Sequence, residues 1–201
     1  LKESDLLIVV GSRLGEMTTG GYSLVSLPLP QQKLVHVYMD AAELGRVYEP
    51  DVAIVASMES FAGAAKDMEA TSPDSRTEWV REANQDYIDN LKPTLEMNGV
   101  DMHAVMDVLN EKLPADAIIT NDAGNFSGWA QRFYRYRKFR SQLAPTSGAM
   151  GYAIPAAISA RLTAPDRPVV AFVGDGGAMM SGQEVATAVQ YGSDPIILVI
   201  N

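Results

Sequence analysis

The chain of 201 residues contains no cysteine. That excludes disulfides and zinc–thiolate sites and fits a reducing cytoplasm, the expected location. Histidine is almost as scarce, with His36 and His103 the only two. Two imidazoles and no thiol argue against a histidine metal cage and against a nucleophile–base triad. His36 falls inside a predicted strand and reads as structural, while His103 lies off the apolar stripe of its helix and reads as solvent-facing. No apolar run approaches the roughly 18 residues of a membrane span, and no signal-peptide pattern is visible. No membrane partner is expected. Positive charge is also short: 16 Lys and Arg face 25 Asp and Glu, for a net charge of −9. That balance argues against nucleic acid as a partner. One stretch runs the other way, with Arg132, Arg135, Arg137, Lys138 and Arg140 interleaved with Phe133, Tyr134, Tyr136 and Phe139. In an acidic chain without a recognisable nucleic-acid module it reads as an exposed or subunit-facing loop.

What is present is ordinary core-forming material: 47% hydrophobic and 20% charged residues. The fold class reads as α/β, with parallel sheets flanked by helices. Leu6–Val10, Leu34–Met39 and Val52–Ala56 are apolar strand runs, and Ser57 caps a helix to about Met68. Residues 1–68 therefore read as part of a Rossmann-like domain. A polar break at Glu69–Pro73 opens a linker over 69–98, built on an amphipathic helix Ser75–Leu91 that Pro93 ends. A second α/β unit fills 99–201. It starts with a helix whose Met102, Val105, Met106 and Leu109 form a core stripe. The chain opens at Leu1 without Met and closes inside a motif, so it reads as part of a longer protein.

The most informative stretch is Pro168 to Asn201. Val169–Val173 has the unbroken apolar character of a strand buried on both faces. Gly174-Asp175-Gly176-Gly177 reads as a turn. A helix is expected from Ser181 to Tyr191, with Ser181 as N-cap, Glu184 completing a capping box, and Val185, Ala188 and Val189 as its apolar face. Gly192 ends that helix, and Pro195–Ile200 is the next strand. A strand–helix–strand unit of this kind makes parallel neighbours. Asp175 and Asn201 then leave the same sheet edge, the one where ligands bind. Asp175 could be no more than a cap on a glycine turn. An acid and an amide oxygen at one edge, beside glycine N–H groups, also suit a divalent cation bridged to phosphates.

Two further strings meet this description. Ala117–Thr120 is a strand followed by Asn121-Asp122-Ala123-Gly124-Asn125, where Asn125 reads either as the cap of a helix over Phe126–Tyr134 or as a diphosphate contact. Ser147-Gly148-Ala149-Met150-Gly151-Tyr152-Ala153-Ile154-Pro155-Ala156-Ala157 combines small residues that allow close backbone approach with a proline suited to a first helical turn. A methionine between glycines at such a turn is an odd choice for core filler.

Gly174-Asp175-Gly176 with an Asn at the next strand end, and G-x-M-G-x-x-x-P-A-A upstream, resemble the signatures of thiamine-diphosphate-dependent enzymes of the acetolactate synthase-like group. The resemblance implies a cofactor of thiamine diphosphate with Mg²⁺. Asp175 would hold the metal, with Gly176, Gly177 and Asn201 at the cofactor. The family pattern usually ends in two adjacent Asn, of which the second is the ligand, and Asn201 matches the first. Many relatives carry Ser where this chain has Gly177. Met150 would wedge between the cofactor rings, the Gly148 carbonyl would accept from the pyrimidine amino group, and Asn125 would lie over the diphosphate. The glutamate that activates the cofactor normally sits on a separate N-terminal domain of a partner subunit, so no catalytic residue is expected in this chain. Turnover by these residues alone is not expected. The string DLLIVVGSRL…KLVHVYMD…PDVAIVA is similar to the central domain of the same group, which in some members binds FAD or an ADP moiety. Arg13 and Asp40 would be its contacts, unless they are a surface charge and a turn residue. The implied substrate is a 2-oxo acid, in decarboxylation or carboligation, and the implied assembly a homodimer or homotetramer. The alternatives are a non-catalytic nucleotide-binding module or a degenerate homologue that keeps the fold without the reaction.

Overall fold

The computed structural model describes residues 1–69, 76–92 and 99–201. Most of the expected polar break, Pro93 and the first residue of the expected linker helix, Ser75, lie outside the described residues. The chain divides into two compact units, Leu1–Ser75 and Arg76–Asn201.

In the first unit, β1 (Leu6–Val10), β2 (Lys33–Tyr38) and β3 (Val52–Val55) form a parallel sheet in that order. Val9, Val25, Leu34 and Tyr48 make its core. His36 is buried, with its Nε2 2.9 Å from the Ser12 carbonyl oxygen, the structural role its strand position suggests. Asp51 ties the start of β2 to β3: one oxygen accepts the Leu34 N–H at 2.9 Å and the other meets Lys33 Nζ at 2.8 Å. The Lys33 ammonium and the Leu34 amide hold this carboxyl below its ordinary range. α1 (Met58–Ala65) starts where expected, with Ser57 Oγ accepting the Ser60 N–H at 3.1 Å.

The second unit opens with α2 (Thr77–Asn90) and α3 (Met102–Lys112). Asp101 caps α3 by accepting the N–H groups of His103 and Ala104. Met102 and Met106 are buried as the helical spacing requires. His103 is not solvent-facing. Its side chain is 20% exposed, lies edge-on to Phe133 at 5.0 Å, and reaches the Leu91 carbonyl. The helix turns this position toward α4 (Ser127–Phe133) rather than water.

Four parallel strands then form a sheet in the order β5-β4-β6-β7: β4 Ile118–Asn121, β5 Gln142–Leu143, β6 Val169–Gly174 and β7 Ile196–Ile200. Every residue of β6 is buried, as a strand covered on both faces must be. α5 (Ala153–Thr163) packs on one face through Ile154, Ala157 and Ile158, and α3 and α4 cover the other through Met106, Ala130 and Phe133. Full burial of one such large apolar side chain is worth about 1.5–3 kcal/mol.

The connection from β6 to β7 differs from the sequence expectation. The helix starts at once, as α6 (Asp175–Ser181), passes through a 3₁₀ turn at Gly182–Glu184, and resumes as α7 (Val185–Tyr191). Gly174–Gly177 is therefore the N-terminal part of a helix and not a free turn. Ser181 precedes the 3₁₀ turn but makes no side-chain cap bond. Its hydroxyl donates back to the Gly177 carbonyl at 3.3 Å, the habit of a mid-helix serine. Glu184 closes no capping box, because its carboxylate accepts from the Thr187 hydroxyl at 2.9 Å. Of the expected apolar face only Ala188 is buried. Gly192 does end the helix, in the left-handed conformation at φ 64°. No described helix is long and apolar enough to cross a membrane.

Candidate functional site

All four strands of the second sheet run the same way, so the loops after β4, β5 and β6 and the end of β7 leave one edge. The register fixes who stands beside whom. Gly174 of β6 pairs with Ile200 of β7, so Asp175 and Asn201 are the next residues out on adjacent strands. Both are exposed. Asp175 occupies the first turn of α6, and its carboxylate has no ion pair or side-chain hydrogen bond among the described residues. The first N–H groups of any helix have no intrahelical acceptor, so those of α6 are available at the same edge.

The β5–α5 loop brings Gly148, Met150 and Gly151 to this edge. Gly148 and Gly151 have φ of 65° and 83°, a left-handed conformation that explains glycine at both ends of the turn. Met150 is 46% exposed. Its tip lies over the glycine motif, since a Cβ built on Gly176 would sit 2.7 Å from Met150 Cε. Gly176 must be bare for the methionine to rest there. The two strings that sequence reading singled out are thus in contact, across 26 positions of chain.

The β4–α4 loop completes the edge. Asn125 is exposed, but it does not cap α4. Phe126 holds the cap position without a side-chain cap bond, and Ser127 Oγ closes the turn on the Gly124 carbonyl at 2.6 Å. The Phe126 ring covers the end of β6, where a Cβ on Gly174 would lie 3.0 Å from its Cε1. That anchors the start of α4 and leaves the Asn125 side chain without a hydrogen-bond partner among the described residues.

Asp122, to which the sequence assigns no role, is 1% exposed. Its Oδ2 accepts the Gly151 N–H at 2.8 Å and its Oδ1 accepts the Ala153 N–H at 2.5 Å. Beside it, the Ala123 N–H donates to the Ala149 carbonyl at 3.2 Å. A Cβ on Gly177 would stand 1.9 Å from Asp122 Oδ2, which no structure tolerates. The one available signal was an acid at the carboxyl end of a strand, but its partners lie 29 and 31 residues further on.

In the first unit, Arg13 and Asp40 follow the ends of β1 and β2. Asp40 Oδ1 accepts the Ala42 N–H at 2.9 Å, as a turn acid does, and Arg13 lies 4.0 Å from Glu43, which Arg46 also meets at 2.7 Å. No group of three or more His, Asp or Glu among the described residues is arranged to hold a metal by itself. Any cation at Asp175 therefore needs oxygens from elsewhere, and this donor chemistry suits a magnesium ion shared with phosphates.

Comparison with known proteins agrees with this geometry. Residues 122–201 match the profile of the thiamine pyrophosphate enzyme C-terminal TPP binding domain, and residues 1–64 that of the thiamine pyrophosphate enzyme central domain. The chain belongs to the thiamine pyrophosphate enzyme family. The profile of the TPP binding domain begins at Asp122 and takes in the whole edge described above. Among its relatives, the chain is 32% identical to the acetolactate synthase isozyme 1 large subunit of Escherichia coli (strain K12), over all of this chain and 35% of that protein. It is 34% identical to the acetolactate synthase large subunit of Corynebacterium glutamicum, over all of this chain and 33% of that protein. It is 31% identical to the chloroplastic acetolactate synthase 3 of Brassica napus, over 93% of this chain and 29% of that protein. The chain spans about a third of the length of the curated relatives it matches.

Proposed function

We propose that this chain supplies the diphosphate-holding edge of a thiamine-diphosphate-dependent enzyme that acts on 2-oxo acids by decarboxylation, carboligation or both, as an acetolactate synthase-like protein does. The carrying observation is the exposed Asp175, whose carboxylate has no partner among the described residues, beside Asn201, with Met150 resting on Gly176. Asp175 would hold Mg²⁺, shared with the cofactor's diphosphate. The amides of Gly176 and Gly177 and the side chain of Asn125 would meet the diphosphate, with Asn201 at the cofactor beside them. The Gly148 carbonyl would accept from the pyrimidine amino group, and Met150 would keep the two rings apart. When bound, the cofactor supplies a nucleophilic carbon and an electron sink. The chain's own work is to orient it, and no catalytic residue is assigned here.

An FAD or ADP group on the first unit would meet Arg13 and Asp40. A homodimer or homotetramer is the proposed assembly, in keeping with apolar side chains left exposed at Val189, Tyr191 and Val199. The proposed location is the cytoplasm. Carbon dioxide release from a panel of short 2-oxo acids, by the protein at its full natural length, tests the reading. Release that requires thiamine diphosphate supports it, and release indifferent to thiamine diphosphate, or none with any 2-oxo acid, overturns it.

A further inference from the structure

Three segments that carry the candidate site meet at one buried carboxylate. Asp122 directly follows β4, accepts the N–H groups of Gly151 in the β5–α5 loop and of Ala153 at the start of α5, and lies against the bare α-carbon of Gly177 in α6. The next residue adds a second tie, from the Ala123 N–H to the Ala149 carbonyl. Met150 is thus gripped on both sides, at Ala149 and at Gly151, by two consecutive residues of the β4 loop. Thr120 Oγ1 donates to the Ala153 carbonyl at 2.8 Å, so the same strand end also fixes the start of α5. No cation pairs with Asp122 among the described residues, and its oxygens are directed at backbone N–H groups. A buried carboxylate used this way sets geometry.

We infer that Asp122 is the positioning residue of this site: it holds the Met150 turn against α6 and so fixes the height of the methionine over the glycine motif. The inference rests on the functional reading above for what Met150 touches, but not for the tie itself. The carboxylate matters because it accepts at both oxygens. An amide presents one acceptor and one donor, and the donor would face an N–H.

Two variants test it from opposite sides. Asp122→Asn removes one acceptor in place. Gly177→Ala leaves Asp122 intact but puts a methyl group where its Oδ2 lies. Hydrogen exchange read by mass spectrometry over residues 144–157 reports the tie without cofactor. Both variants are expected to lose more protection there than residues 102–112 of α3 do. Titration of thiamine diphosphate with Mg²⁺ into the protein at full natural length should then show Kd raised by about tenfold or more in Asp122→Asn. In a Met150→Ala background the same change should add little, because its route through the methionine is gone. Unchanged exchange in both variants overturns the tie. Lost protection with an unchanged Kd, or a Kd penalty that persists in full without Met150, overturns the positioning role. If the unmodified protein binds no thiamine diphosphate, the functional reading and the cofactor role of Asp122 both fail, while the exchange result still judges the tie.

Discussion

Gly176 and Gly177 are adjacent, both helical, and should respond oppositely to the same added methyl group. At Gly176 the new Cβ would meet only Met150 Cε, at 2.7 Å. That atom ends a flexible side chain that is 46% exposed, so it can swing aside. At Gly177 the Cβ would meet Asp122 Oδ2 at 1.9 Å, Asp122 Cγ at 3.1 Å and Val173 Cγ2 at 3.0 Å. None of these can yield freely, because Val173 lies in a fully buried strand and Asp122 is pinned by two N–H groups. Alanine gains roughly 1 kcal/mol over glycine in a helix interior. At Gly176 nothing large opposes that gain, so stability should change by less than about 1 kcal/mol in either direction. At Gly177 the displaced carboxylate forfeits a charged hydrogen bond worth about 1.5–3 kcal/mol, and overpacking costs about 1–3 kcal/mol more. Gly177→Ala should therefore be destabilised by roughly 1.5–5 kcal/mol after the helix gain. Urea unfolding followed by circular dichroism measures both. A Gly177→Ala protein as stable as the unmodified one would refute the packing argument. The two variants also separate stability from function, since Gly176→Ala should fold well yet bind thiamine diphosphate more weakly by displacing Met150.

Other expectations follow from single contacts. Phe172 is fully buried at the centre of β6, and Phe172→Ala should cost about 3–5 kcal/mol by the same unfolding measurement. Arg161 lies 2.5 Å from Asp194 and holds that carboxyl below its ordinary value. A depressed folded pKa means stability that is fully present above the unfolded value near 3.9 and fades as pH falls through the folded one. Asp194→Asn should thus flatten the decline of Tm below about pH 4, modestly, because the aspartate is largely solvent-exposed. If the first unit carries a flavin, the purified protein should show a flavin spectrum that weakens in Arg13→Ala. A colourless protein would remove FAD from the account.

Much of this was legible in the sequence because burial writes itself plainly there. Val169–Val173, Ile118–Thr120 and the Met102/Met106 stripe fold as read, since runs and periods of apolar residues have few other solutions. Asp175, Asn201 and Met150 reach one edge because parallel strands leave no alternative. The start of α6 was not legible. Gly-Asp-Gly-Gly reads locally as a break, yet Gly176 and Gly177 are helical, and Gly177 is bare because a carboxylate 55 positions earlier in the chain occupies the space a side chain would need. Asp122 itself hid in a polar loop, because its partners are backbone amides far along the chain. Asn125 looked like a cap by residue type, but Phe126 takes that place through packing on Gly174 that no local pattern encodes. The corrections share a cause: contacts between motifs decided them, and periodicity reports only contacts within elements.

The central claim is that Asp175 anchors a metal-bound diphosphate at this edge. Calorimetric titration of thiamine diphosphate into the protein at its full natural length, with and without Mg²⁺, and into Asp175→Ala, tests it most directly. The account predicts binding that requires the metal and is lost in the variant. Binding that survives either the removal of Mg²⁺ or the loss of the Asp175 carboxylate would contradict it.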